Sequence, residues 1–233
     1  VDDVNFTVAE GELLSLVGSN GAGKTTLVNL ISAYLHPDEG QILFNEEDIT
    51  FSSINDLIQA GIARSFQLVN LFDDLTAFDN VALAIFSRQG KTRNLMSIAD
   101  HDEEVRREAN EVMGQFGLEN KGGVTAGGLA QGERKLLDVA VAYALRPKLL
   151  FLDEPTSGVS TRDKLQIMDT ISSVVRTGNV TAVIIEHDMD VVFKYSDRIV
   201  AMHEGKILAD GSPDEIRNNQ DVATTLLGDA LPA

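Results

Sequence analysis

Apolar and polar residues alternate in a changing rhythm along this chain. Val4, Phe6 and Val8 alternate with polar neighbours and predict a strand over VDDVNFTV, residues 1–8. After a turn at Glu10-Gly11, the apolar run LLSLV, residues 13–17, predicts a buried strand. GSNGAG then leads into TLVNLISAYL, which predicts a helix. QILFN, residues 41–45, reads as a strand, SSINDLIQA as a short helix with Ser53 and Asp56 spaced as a capping box, and IARSFQ as a strand. From Thr76 to about Leu145 the pattern is helical, and DHDEEVRREANEVMGQFGL places Val105, Val112, Met113 and Phe116 near one side. QGERKLLDVAVAYAL predicts a helix that is polar for one turn and then apolar nearly all round, ended by Pro147.

KLLFLDE (148–154) and TAVIIE (181–186) are β-rich apolar runs separated by a helical segment from Thr161 to Arg176. That βαβ rhythm predicts a parallel sheet covered on both faces. RIVAMHEGKILADG reads as a hairpin turning at Glu204-Gly205, and SPDEIRNN starts a helix with Pro213 at its first position. The chain is expected to be one α/β domain over residues 1–233, with a helical subdomain inserted at about 77–146.

Composition narrows this picture. A length of 233 residues suits one well-buried domain with an insertion. The absence of cysteine excludes disulfides and thiolate metal sites, and favours a reducing, cytoplasmic setting. No run approaches the ~20 apolar residues needed to span a bilayer, and VDDVNFTVAE is no signal peptide, so a soluble chain is expected. The formal charge of −17, from 36 acidic and 19 basic residues, repels nucleic acid and the anionic cytoplasmic leaflet. No nucleic-acid partner is expected, and any membrane role must run through a protein partner. The start at Val1, within a strand-like pattern, predicts a trimmed N-terminus.

The candidate chemistry begins in the glycine run. Gly18, Ser19, Asn20, Gly21, Ala22, Gly23, Lys24, Thr25 and Thr26 contain the pattern G-x-x-x-x-G-K-[ST] between a predicted strand and a predicted helix. Its backbone N–H groups and helix N-terminus suit a β-phosphate, Lys24 the β and γ oxygens, and the Thr25 hydroxyl Mg²⁺. A nucleoside triphosphate is the expected ligand. LLFLDE ends in two carboxylates, Asp153 for the metal's shell and Glu154 for an attacking water. Gln67 and His187 also end β-rich runs and should lie on the same sheet edge, Gln67 facing Mg²⁺ and the water, His187 the γ-phosphate. His36, His101 and His203 are read as ordinary side chains.

The order of phosphate loop, SFQ, LAQGE, LLFLDEPTSG and EHD resembles ATP-binding-cassette (ABC) transporter ATPases over nearly the whole chain. DEGQILFNEEDIT, GIARSFQLVNLFDDLTAFDNVALA, the helical insert and ADGSPDEIRNN are similar to the ATPase subunits of branched-chain amino acid importers. The resemblance implies a P-loop NTPase core with a small antiparallel β part and an inserted helical subdomain. It also implies a head-to-tail homodimer or heterodimer that sandwiches two ATP molecules. Each ATP would lie between one phosphate loop and the partner's signature segment, here Leu129, Ala130, Gln131, Gly132 and Glu133. Implied partners are transmembrane permease subunits, contacted through a groove beside Gln67 at the inner face of the cell membrane.

Three features depart from the family pattern. The signature is usually L-S-G-G-Q, so its serine is Ala130 here, and Gln131 and Glu133 also differ. Ser160 stands where an aspartate is usual, and the adenine-stacking aromatic would precede Val1. The alternatives are a urea or amide importer, a lipopolysaccharide-type exporter, a soluble cassette acting in DNA repair or on ribosomes, and a cassette that binds ATP without hydrolysing it.

Overall fold

The computed structural model describes residues 1–65, 71–90 and 102–227. Six strands, β1 (Leu13–Gly18), β4 (Ile62–Ser65), β5 (Leu149–Asp153), β6 (Thr181–Ile185), β7 (Arg198–His203) and β8 (Lys206–Gly211), form one sheet in the order β4-β5-β6-β1-β7-β8. All neighbours pair in parallel except β8, which returns antiparallel to β7 through Glu204 and Gly205, both at positive φ. A second, antiparallel pair joins β2 (Leu43–Phe44) to β3 (Glu47–Asp48). This pair is shorter than the strand expected over residues 41–45, because Asn45 and Glu46 take the left-handed conformation of a two-residue hairpin turn.

The sheet is buried on both faces, as its unbroken apolar strands require. Leu150, Leu152, Ala182 and Ile184 face a core shared with α3 (Ala77–Arg88), α4 (Glu103–Gln115), α5 (Gln131–Ala144) and α6 (Thr161–Thr177). Their neighbours Leu149, Phe151, Val183 and Ile185 face the opposite side, against α1 (Lys24–Ile31) and α2 (Ile54–Ala60). A smaller third core gathers Val192 of α7 (Met189–Tyr195), Ile216 of α8 (Pro213–Arg217) and Val222 of α9 (Gln220–Val222). Val105, Val112, Met113 and Phe116 are buried together, in keeping with their spacing. The capping box at Ser53 and Asp56 forms as expected, and Pro213 occupies the first turn of α8 behind the Ser212 cap.

Two further elements depart from expectation. Residues 1–8 form no strand, although Val4, Phe6 and Val8 do pack together on the α1 side of the sheet. Alternation fixed which side chains turn inward, but no described strand offers this segment a ladder. Helix α1 stops at Ile31 instead of running to Leu35, because the Ser32 hydroxyl donates back to the Val28 carbonyl at 2.6 Å and Ala33 adopts φ 59°.

Helices α3, α4 and α5 share one buried charge. Arg88 grips Glu108 with both guanidinium nitrogens at 2.7 Å and also donates to the Ala144 carbonyl, while Arg146 Nε reaches Glu108 at 2.9 Å. The Arg88 hydrogen bonds hold the Glu108 carboxyl below its ordinary value of 4.5. Its contribution is therefore complete above pH 4.5 and is lost as pH falls through the lowered folded value. Glu108→Gln should cost about 2 kcal/mol, or about 5 °C in Tm, at pH 7. Melting curves should show that gap closing below pH 4.5; a gap independent of pH would refute the role of the ionised carboxylate.

Candidate functional site

The phosphate loop, Asp153, Glu154 and His187 all lie at or just beyond the carboxyl ends of parallel strands. β1 runs into the glycine loop, where Gly18, Gly21 and Gly23 all have positive φ. At Gly18 a Cβ would lie 2.4 Å from the Met202 carbonyl oxygen, so the loop is pressed against β7 as no other residue allows. Gly23 starts α1 in the left-handed conformation and no side chain caps the helix, which leaves its first-turn N–H groups to a ligand. Lys24 is buried, its ammonium donating to the carbonyls of Gly18 at 2.7 Å and Ser19 at 3.1 Å. Burial lowers its pKa against the opposing pull of Glu154 and Asp153, so the cation is incompletely compensated and suits an arriving anion.

Asp153 ends β5 and Glu154 follows at φ 48°, a left-handed conformation costing about 1–3 kcal/mol for a residue with a Cβ. The Glu154 carboxylate meets His187 Nε2 at 2.8 Å, with His187 reached two residues beyond the end of β6. Two of the expected catalytic side chains are thus in direct contact. Gln67 lies outside the described residues, as does His101. His36 stacks obliquely on Phe51 and His203 lies 3.9 Å from Glu204, neither of them in this cluster.

Three buried charges here escaped the reading of motifs. Arg64 of β4 donates to Asp153 Oδ2 at 2.9 Å and to Asn29 Oδ1 at 2.6 Å, tying α1 to the end of β5. Lys135 of α5 donates to Ser157 Oγ at 3.0 Å and to the Glu154 carbonyl at 3.4 Å. Burial lowers the Lys135 pKa, opposed by the fields of Asp138, Glu154, Glu186 and Asp153. Glu186, directly after β6, is buried and accepts from both Thr156 and His187. The available signal was a charged residue set inside or at the end of a buried run, where only a partner makes it tolerable.

The signature segment stands apart from this cluster. No hydrogen bond among the described residues joins 129–133 to the phosphate loop. Ala130 begins α5 without a hydroxyl cap, and Glu133 accepts from the Ala130 N–H at 2.9 Å while pairing with Lys121. The Gln131 amide lies over Gly158, close enough that a Cβ there would come within 2.3 Å of its Nε2. Ser160, the other departure, caps α6 by accepting from the Asp163 N–H.

Comparisons with known proteins identify the family. The family profile described as ABC transporter matches residues 1–157. The high-affinity branched-chain amino acid transport ATP-binding protein BraF of Pseudomonas aeruginosa is 34% identical over 99% of this chain and 92% of its own length. MJ1267, an ATP-binding cassette of an ABC transporter, superposes with TM-score 0.83 at 29% identity, covering 96% of this chain and 90% of that one. MJ0796, solved as a dimer in a post-hydrolysis state with ADP and phosphate, gives TM-score 0.74 at 27% identity over 90% of this chain and 89% of that one.

The loop packing yields a direct test. Gly18→Ala should weaken nucleotide binding at least about tenfold, since the added methyl must push the loop off the Met202 carbonyl. Titration with a fluorescent ATP analogue measures this, and affinity equal to the parent chain's would refute the close approach.

Proposed function

The chain belongs to the ABC transporter family, and on that premise we propose that it is the ATP-hydrolysing subunit that powers uptake of branched-chain amino acids through membrane permease subunits. The observation that carries the reading is the Glu154–His187 contact at 2.8 Å, set on neighbouring strand ends beside the phosphate loop. BraF, whose name includes branched-chain amino acid transport, supports the choice of cargo over urea or an amide. The domain boundaries follow: one domain over 1–233, with a helical subdomain at about 77–146 built on the α3–α4–α5 packing.

The phosphates of ATP bind the first-turn N–H groups of α1, with Lys24 turning from the Gly18 and Ser19 carbonyls to the β and γ oxygens. Mg²⁺ would be held by Asp153 and Thr25. Arg64 occupies Asp153 Oδ2 while no described group donates to Oδ1, and a hydroxyl with one carboxylate is the small, hard-oxygen donor set that Mg²⁺ completes with phosphate and water. Mg²⁺ held there would neutralise phosphate charge. Glu154 orients the attacking water and accepts its proton, and His187 donates to the γ-phosphate as charge develops on it. Gln67 is assigned to the metal and the water from sequence.

A second ATPase subunit closes the site, presenting Leu129 to Glu133 to the nucleotide of its partner, as the MJ0796 dimer favours. The apolar side chains of Phe51, Ile54 and Ile58, in or just before α2, and of Phe72 are exposed, as contact with permease helices would require. No helix among the described residues is long and apolar enough to cross a membrane, so association with the inner face of the cell membrane runs through those helices.

Glu154→Gln should retain ATP affinity, lose at least about 100-fold in turnover and trap a nucleotide-bound dimer. Lys24→Ala should instead weaken binding itself. Near-normal hydrolysis by purified Glu154→Gln would sink the catalytic assignment. Ala130→Ser, in the Glu154→Gln background, should tighten nucleotide-dependent dimerisation about tenfold, because the hydroxyl adds a hydrogen bond to a charged phosphate. An unchanged or weaker dimer by light scattering would show that the signature contact is made by other groups.

A further inference from the structure

Glu186, which ends the run TAVIIE, has only 4% of its surface exposed, yet no cation among the described residues is hydrogen-bonded to its carboxylate. Its oxygens divide between two chain segments. Oε1 accepts from the Thr156 N–H at 3.2 Å and from the Thr156 hydroxyl in a short bond. Oε2 accepts from the His187 N–H at 3.0 Å and from the Asp188 N–H at 3.5 Å. Thr156 lies two residues beyond Glu154, and His187 is the next residue after Glu186. One carboxylate therefore fastens both turns whose side chains meet at 2.8 Å.

A role in stability alone does not account for this arrangement. Burying a carboxylate is unfavourable relative to an apolar residue of the same size, and an apolar strand end would have served the fold. Nor is Glu186 placed to act as a base, because both oxygens are committed to donors of the protein. What the arrangement does supply is a fixed separation. Glu154 stands in a left-handed conformation and is held on the other side by Lys135, so the turn at 154–157 is fastened to α5 by the lysine and to the His187 turn by Glu186.

We propose that Glu186 is a positioning residue for hydrolysis, locking the turn of Glu154 to the turn of His187 so that both face the γ-phosphate at a set spacing. The inference rests on the ATPase reading above and deepens it. The phosphate loop is fastened elsewhere, through Lys24 and the approach of Gly18 to Met202, so binding and turnover separate on substitution.

The test is Glu186→Gln in the full chain. Glutamine keeps the volume but turns an amide N–H₂ toward the donors of one segment, releasing that segment from the other. Melting temperature, ATP affinity and steady-state hydrolysis are measured together. ATP affinity and KM should stay within about twofold, whereas kcat should fall about 30-fold, as expected for a misplaced catalytic pair. Adding Glu186→Gln to Glu154→Gln should cause no further loss. If Glu186→Gln does not fold, Thr156→Val removes one donor isosterically and should lower kcat about tenfold with binding unchanged. A kcat within threefold of the parent in whichever of these variants folds, or equal losses in affinity and kcat, overturns the proposal. A parent chain without ATPase activity overturns the ATPase reading together with it, whereas a parent activity abolished by Glu154→Gln and untouched by Glu186→Gln overturns this proposal alone.

Discussion

Parallel pairing aligns Asp153 of β5 with Ile185 of β6, and Ile185 in turn with Leu16 of β1, so that three strands share one row across the sheet. Beyond that row the chains diverge. β5 passes into Glu154, β6 into Glu186 and His187, and β1 through Val17 and Gly18 into the phosphate loop. A slip of one residue in any of these ladders would exchange the side chains packed into the two cores, so the fit of those cores holds the register. The spacing of the candidate catalytic groups is in this sense a consequence of hydrophobic burial several residues away.

Much of this was legible in the sequence because it rests on local signals. The glycine loop, the capping box at Ser53, Pro213 at the start of its helix, and the turn at Glu204-Gly205 each carry their own backbone chemistry. Apolar runs ending in polar residues brought Asp153, Glu154 and His187 to one edge through a general property of parallel sheets. What stayed hidden depended on contacts between distant segments. Arg64 and Glu186 sit in apolar runs and Lys135 closes a polar helical turn, and their partners lie 89, 30 and 22 residues away in that order. Residues 1–8 show the converse failure, since alternation describes which side chains are covered but not whether a neighbouring strand exists to pair with.

The formal charge of −17 opposes the approach of an anionic nucleotide, so binding must come from short-range features. Lys24 and Lys135 are both buried, and Arg64 lies between α1 and Asp153, so three of the 19 basic residues are turned toward one cluster of carboxylates. Their fields are shielded from solvent ions, whereas the repulsion of the acidic surface is screened within about 8–10 Å at physiological salt. Moderate ionic strength therefore weakens what opposes ATP more than what holds it.

The same buried cations also connect parts of the chain with different tasks. α5 starts at the signature segment and, one turn later, presents Lys135 to the Glu154 carbonyl and Ser157. Gln131, at the start of that helix, also lies over Gly158 in the segment following Glu154. α5 is thus joined to the catalytic turn at two points, one through a buried ammonium and one through close packing on a residue without a Cβ. A shift of α5 along its axis cannot leave that turn in place, because Lys135 would have to surrender its bonds in a buried setting where no water replaces them. Glu154, already in a left-handed conformation, has little freedom to absorb such a shift, so the start of α5, proposed to meet a partner's nucleotide, and the carboxylate proposed to act on its own are mechanically linked through Lys135.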